Sequence, residues 1–196
     1  MLERCRQIQL SLNLKKCIFL TPIGILLGHV VCKDGIKVDM AKIKIILDLK
    51  LLTNPKQIRV FLGNTRYYWN FIRQYSDITF PLDELLRQGV EFTWSKECND
   101  SFETLKKKLV EAPILKFPNL SIHFHVHIDA STIAIGAILA QPYDDVDHPN
   151  SYASRKLNSV ERKYSKTKRE ALGMVFSLQK SRHYLLENPF TFYTDH

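Results

Sequence analysis

The chain has 196 residues, 45% of them hydrophobic and 24% charged, which allows one or two domains with cores of their own and excludes a disordered or fibrous class. Its net charge of +8 favours a polyanionic partner. Cys5, Cys17, Cys32 and Cys98 form neither a C-x-x-C pair nor a regular framework. No disulfide scaffold is expected, and reduced thiols suit an intracellular protein. The start, MLERCRQIQLSLNLKKC, lacks a signal-peptide core, and the longest apolar stretch is broken by Gly24, Gly28 and His29. The reading is therefore a soluble protein with no membrane span.

In chain order, Leu2 to Leu12 has helical spacing, Cys17 to Leu20 and Ile25 to Val31 read as strands, and Lys33-Asp34-Gly35 turns into Ile36 to Val38. Asp39 can cap a helix through Leu49. Thr53 or Asn54, with Pro55 at the first helical position, opens another that carries Ile58, Phe61, Leu62, Tyr68 and Ile72 and is expected to split at Gly63. Pro81 to Gln88, closed by Gly89, reads as a short helix, and Ser95 caps a longer one with Cys98, Phe102, Leu105 and Leu109 on one face. After Pro113 the pattern changes to strands at Ile122 to Asp129, Ile133 to Gln141 and Tyr152 to Arg155. A long helix follows, with Tyr164, Ala171, Met174, Val175, Leu178 and Leu185 recurring at helical spacing, and Phe190 to Thr194 makes a last strand.

Three carboxylates stand out on that framework. Asp129 ends an alternating strand, Glu170 lies at the edge of the helix stripe, and Asp195 ends a second strand. Separate elements can thus aim oxygen ligands at one point, which two magnesium ions about 3.5 to 4 Å apart require. A lone glutamate on a charged helix is more often a solvated residue; the strings around it decide otherwise. Beside Glu170 runs a basic set, Arg155, Lys156, Arg162, Lys163, Lys166, Lys168 and Arg169, placed where phosphates would pass. Two other patterns read as background. His123, His125 and His127 alternate on one strand face, a spacing that can bind zinc but also suits unligated polar positions. Tyr143-Asp144-Asp145 lacks the residue between aromatic and aspartates that a polymerase motif needs, and reads as a polar loop.

Asp129-Ala130-Ser131, Gly136, Leu139, Gln141, Tyr152-Ala153-Ser154-Arg155, Glu161, Tyr164, Thr167, Glu170, Arg182-His183-Tyr184-Leu185 and Thr194-Asp195-His196 resemble, in order, the ribonuclease H region of gypsy-type LTR retrotransposon Pol polyproteins. Upstream, Leu12-Asn13, Lys16-Cys17, Leu27-Gly28-His29 and Asp34-Gly35-Ile36 resemble the end of that family's reverse transcriptase palm. Phe61-Leu62-Gly63, Tyr67-Tyr68, Phe71-Ile72, Phe92, Trp94, Phe102, Leu105 and Pro113-Ile114-Leu115 resemble its thumb and connection.

The resemblance implies an α+β chain: a palm remnant at 1–38, a helical thumb-like segment at 39–88, a connection helix and linker at 89–121, and the N-terminal part of a ribonuclease H-like mixed sheet with its helix at 122–196. It implies that Asp129, Glu170 and Asp195 ligate two Mg²⁺ ions that cut the RNA of an RNA/DNA hybrid. With the polymerase aspartates upstream and a fourth carboxylate downstream, the expectation is a fragment that binds hybrid, does not polymerise and cuts feebly, with self-association through an uncovered sheet. Two other readings stay open: a working hybrid nuclease completed by a partner or further sequence, and a domesticated protein-interaction module. Trp69-Asn70 stands where the family usually has two basic residues, and Ser181 where it has a bulky aromatic.

Overall fold

The structure is a computed structural model that describes residues 2–19 and 21–194. Its architecture is mixed α+β, with one antiparallel sheet of three short strands, a helical unit and one mixed sheet of four strands.

After α1 (Leu2–Gln7) and a 3-10 turn at Leu14–Lys16, the small sheet is built from β1 (Ile23–Leu26), β2 (His29–Cys32) and β3 (Gly35–Val38). The expected strand over Cys17 to Leu20 is not formed at 17–19, and Leu20 lies outside the described residues. Nor is Ile25 to Val31 one strand. Leu27 and Gly28 both take positive φ, 48° and 73°, so the chain reverses in a two-residue hairpin between Leu26 and His29. Tyr68 donates to the Gly28 carbonyl at 3.1 Å, and His29 stacks on Tyr67 with ring centroids 5.1 Å apart. Those contacts anchor the turn to the helical unit. Burial, followed by the nearby Lys42 charge, holds His29 below the usual histidine range.

The helical unit starts with α2 (Met40–Leu47), where the Asp39 carboxylate accepts from Ala41 N at 3.0 Å. In α3 (Pro55–Arg66) Asn54 is the cap, accepting from Gln57 N at 3.0 Å. Gly63 does not split α3, because a glycine inside a helix lowers its stability without breaking any hydrogen bond. Then come a 3-10 turn at Trp69–Phe71, α4 (Tyr75–Ile78), α5 (Phe80–Glu84) and the long α6 (Lys96–Val110), capped by Ser95. Ile43, Ile58, Phe61, Leu82, Leu105 and Leu109, each fully buried, form the centre of this core. The small sheet is tied to it by a backbone pair between Ile36 and Leu115. Gly35, with φ 139°, lies against the Leu115 carbonyl, where a Cβ would collide.

The large sheet has strand order β6-β5-β4-β7, from β4 (Phe124–Ala130), β5 (Ala134–Tyr143), β6 (Val146–Lys156) and β7 (Phe190–Tyr193). Strands β4 and β7 are parallel and the other pairs antiparallel. Strand β6 begins well before the expected Tyr152. Asp144 and Asp145, at φ 52° and 61°, form a two-residue turn between Tyr143 and Val146, so the polar loop expected there is the tight, exposed tip of a hairpin. A register shift opposite Leu139 and Ala140 accommodates Pro149, which an edge strand tolerates.

Helix α7 (Lys166–Leu185) lies on one face of this sheet. Its buried residues are Glu170, Gly173, Phe176, Ser177 and Leu185, whereas Val175 and Leu178 of the expected stripe are 50% and 37% exposed. The helix is rotated from the expected face because Gly173 is its closest approach: a Cβ there would sit 2.5 Å from Ile128 Cγ2. Ser181 departs from helical geometry (φ −106°, ψ 15°) and kinks the last turn. No helix among the described residues is long and apolar enough to cross a membrane.

Candidate carboxylate centre and nucleic-acid interface

Asp129 sits next to the end of β4, paired with Gly136 of β5. Alternation along β4 buries Phe124, Val126 and Ile128 against α7 and turns His125, His127 and Asp129 to the other face. On that face stand the turn and helix that precede α5. Arg73 donates to Asp129 Oδ2 at 3.0 Å, Ser76 N donates to Ser154 Oγ at 2.9 Å, and Ser131 donates to Asp77 at 2.6 Å. Ser131 Oγ also accepts from Ala134 N at 2.9 Å, which shapes the β4–β5 turn beside Asp129.

Glu170 reaches the same end of β4 from the α7 side. Because β4 and β7 are parallel, the helix joining them runs back antiparallel: Tyr184 packs on Phe124 and Gly173 on Ile128. One turn earlier, Glu170 is 7% exposed with the Lys166 ammonium 3.9 Å from its carboxylate. Asp129 and Glu170 thus lie toward the same end of β4, Asp129 on the strand face turned away from α7 and Glu170 on α7 itself. Asp195 lies outside the described residues.

The basic set is divided by the structure. Arg155 grips Glu161 with two hydrogen bonds of 2.8 and 2.9 Å; that guanidinium, more than the Asn158 amide, holds the Glu161 carboxyl below the usual glutamate range. Lys156 pairs with Asp83 at 2.6 Å, and Arg162 lies 4.8 Å over the Phe80 ring. Lys163, Lys166 and Lys168 are exposed. Arg169 is half-buried, its Nε without a hydrogen-bond partner. A groove of about 640 Å³ lies between the helical unit and the last residues of β6, lined by Arg59, Arg66, Trp69, Arg155, Lys156 and Lys180 among others. Sequence reasoning missed Arg59 and Arg66 of α3 and the distant Lys180 of α7, which carry no motif. Trp69, expected only as a departure from a basic pair, is a wall of the groove, with Lys180 5.8 Å over its ring.

The model of the RNase H-like domain found in reverse transcriptase matches residues 94–192. The chain belongs to this family. It is 40% identical over 188 residues to the retrovirus-related Pol polyprotein from transposon 297 of Drosophila melanogaster, covering 95% of this chain and 17% of that protein. It is 37% identical over 199 residues to the Pol polyprotein from transposon opus of the same fly, covering 95% and 20%. With the Tf2-3 transposon polyprotein of Schizosaccharomyces pombe identity is 32% over 198 residues, covering 100% and 15%. The chain therefore spans a fifth or less of the length of these relatives. Among solved structures, the dRH form of the foamy viral protease-reverse transcriptase in complex with double-stranded DNA superposes with a TM-score of 0.80 at 22% identity, covering 100% of this chain and 35% of that one. The same enzyme in complex with RNA/DNA hybrid gives 0.79 at 22%, covering 100% and 27%; this likeness shows the fold.

Within the RNase H-like domain, the donor set fits magnesium in kind. Mg²⁺ takes hard oxygen ligands, Asp129 and Glu170 supply carboxylates, and the Arg73 guanidinium already places a cation 3.0 Å from Asp129. The strand histidines are not simple surface groups. His125 Nδ1 and His127 Nε2 lie 2.7 and 2.6 Å from the two oxygens of Asp147 at the start of β6.

Proposed function

We propose that this chain is a segment of a gypsy-type Pol reverse transcriptase that binds RNA/DNA hybrid, with the division into palm remnant (1–38), thumb-like segment (39–88), connection (89–121) and ribonuclease H-like domain (122–196). Asp129 and Glu170, together with Asp195, hold Mg²⁺ at the nuclease centre. What supports this reading is the family of the domain, with Asp129 near the end of β4 and a buried Glu170 on the helix packed over that strand. When bound, Mg²⁺ lowers the charge cost of attack on a phosphodiester and activates water. The protein's own part is to fix the ligands: Ser131 shapes the turn after Asp129, and Gly173 lets Glu170 come down onto the sheet.

Hybrid backbone is held by two basic surfaces, the β6 groove with Arg59, Arg66 and Lys180 and the exposed start of α7 with Lys163, Lys166 and Lys168. Phosphate contacts of this kind give affinity without sequence preference. Fluorescence anisotropy of a labelled hybrid across a salt series tests the reading. Arg59→Gln/Arg66→Gln/Lys180→Gln and Lys163→Gln/Lys166→Gln/Lys168→Gln should each flatten the slope by about one unit per phosphate contact removed. Asp129→Asn should keep binding and abolish the slow Mg²⁺-dependent cut of the RNA strand. Absence of salt-dependent hybrid binding would leave the interaction-module reading in its place.

A further inference from the structure

We propose a second metal site, for a borderline transition ion such as zinc, formed by His125 and His127 of β4 and Asp147 of β6. It is independent of the carboxylate centre and of the nuclease reading. The candidate ligand atoms, one from each residue, all lie within 4.8 Å of one another. His125 and His127 are two apart on β4, so both rings rise from one face, with centroids 6.5 Å apart. Asp147 enters between them from the start of β6, 30% exposed. One carboxylate bridges both imidazoles, Oδ1 at 2.7 Å from His125 Nδ1 and Oδ2 at 2.6 Å from His127 Nε2.

That arrangement is a two-histidine, one-carboxylate set closed by protons. As it stands, each imidazole donates an N–H to Asp147. A tetrahedral ion with bonds of about 2.0 to 2.1 Å needs ligand atoms about 3.3 Å apart, so the short nitrogen–oxygen pairs must open by about 0.7 Å while the widest pair, now within 4.8 Å, draws in. Asp147 stands two residues beyond the Asp144-Asp145 turn, next to the exposed tip of the hairpin. The protons have somewhere to go: in His125 the proton moves from Nδ1 to Nε2, where the Tyr193 hydroxyl lies at 3.4 Å, and in His127 from Nε2 to Nδ1. Tyr193 also stacks on His127, centroids 4.9 Å apart and planes 19° apart, which fixes that ring. A neighbour that orients a ligating ring is what a metal site requires beyond its ligands. Two imidazole nitrogens select zinc, cobalt or nickel over magnesium. The fourth position faces solvent and takes water. The ion would tie the β5–β6 hairpin to β4 and, through Tyr193, to β7.

The test uses tag-free protein and Zn²⁺ or Co²⁺ alone. Titration calorimetry should show one Zn²⁺ per chain, unaffected by excess Mg²⁺, with a melting temperature that climbs with the logarithm of free zinc. Co²⁺ should give visible absorption bands of tetrahedral strength. His125→Gln, His127→Gln and Asp147→Asn should each weaken binding by about 10-fold or more, and circular dichroism of the metal-free variants checks their folding. Asp129→Asn and His123→Gln should bind zinc as the parent does. The proposal is overturned by a protein that takes up no zinc, by uptake that survives His125→Gln and His127→Gln, which assigns the metal to thiols, or by uptake lost in Asp129→Asn, which assigns it to the carboxylate centre.

Discussion

Arg73 and Asp129 show how one side chain can matter little for stability and much for chemistry. The Arg73 side chain is 59% exposed, and an ion pair that open contributes less than about 1 kcal/mol. Yet its guanidinium occupies the cation position beside the carboxylate that the nuclease reading assigns to Mg²⁺, so metal and arginine compete. Arg73→Ala should unfold within about 1 kcal/mol of the parent in urea and bind Mg²⁺ more tightly by calorimetry; unchanged Mg²⁺ affinity would remove Arg73 from the site. Arg155 and Glu161 give a pH dependence of definite sign. Glu161 has a lower pKa folded than unfolded, first because Arg155 hydrogen-bonds its charged form. Its contribution is therefore complete above the unfolded value, about 4.3, and fades as pH falls through the lower folded one. Urea midpoints measured from neutral to acid pH should fall less steeply for Arg155→Met than for the parent. A steeper acid loss in the variant would reverse that sign.

At the scale of elements, α7 is placed by one missing side chain. Heptad-like counting selects Ala171, Val175 and Leu178, but those choices ignore how close a helix can come to its sheet. Gly173 permits the closest approach, over Ile128, and with it turns Glu170 inward. Gly173→Ala would gain about 1 kcal/mol of helix propensity and lose about 1 to 3 kcal/mol to overpacking, since a branched, buried Ile128 has little room to yield. The expected outcome is a net loss of about 1 kcal/mol by chemical denaturation, reduced when Ile128→Val is added. Additive effects in that double-mutant cycle would mean the two residues do not touch. Helix caps were legible beforehand, at Asp39, at Thr53 or Asn54, and at Ser95, because capping needs only a side chain and an amide two or three residues away; the structure selects Asn54. Turns with positive φ were not: Leu27 is a poor left-handed residue held there by tertiary contacts and strand pairing, and Asp144 and Asp145 tolerate that region without requiring it.

On the scale of the whole molecule, the first sheet leaves much apolar surface open. Ile23, Ile25, Leu26 and Leu27 are each at least 60% exposed, and β7 is an edge strand of the other sheet. An apolar patch of this kind drives association. Sedimentation velocity at micromolar concentration should show self-association that Ile23→Lys/Ile25→Lys abolishes; association that persists in this variant would place the contact on the β7 edge. The sequence by itself determined the mixed α+β class, the RNase H-like family and the order of most elements, because periodicity, caps and motif strings are properties of short stretches. Only the tertiary structure decided which face of α7 is buried, that Arg73 covers Asp129, that Arg59, Arg66 and Lys180 share a groove with β6, and that Asp147 joins His125 and His127. Each of these joins residues about 20 to 120 positions apart, and such distances close only when strands pair and helices pack, which no local pattern records.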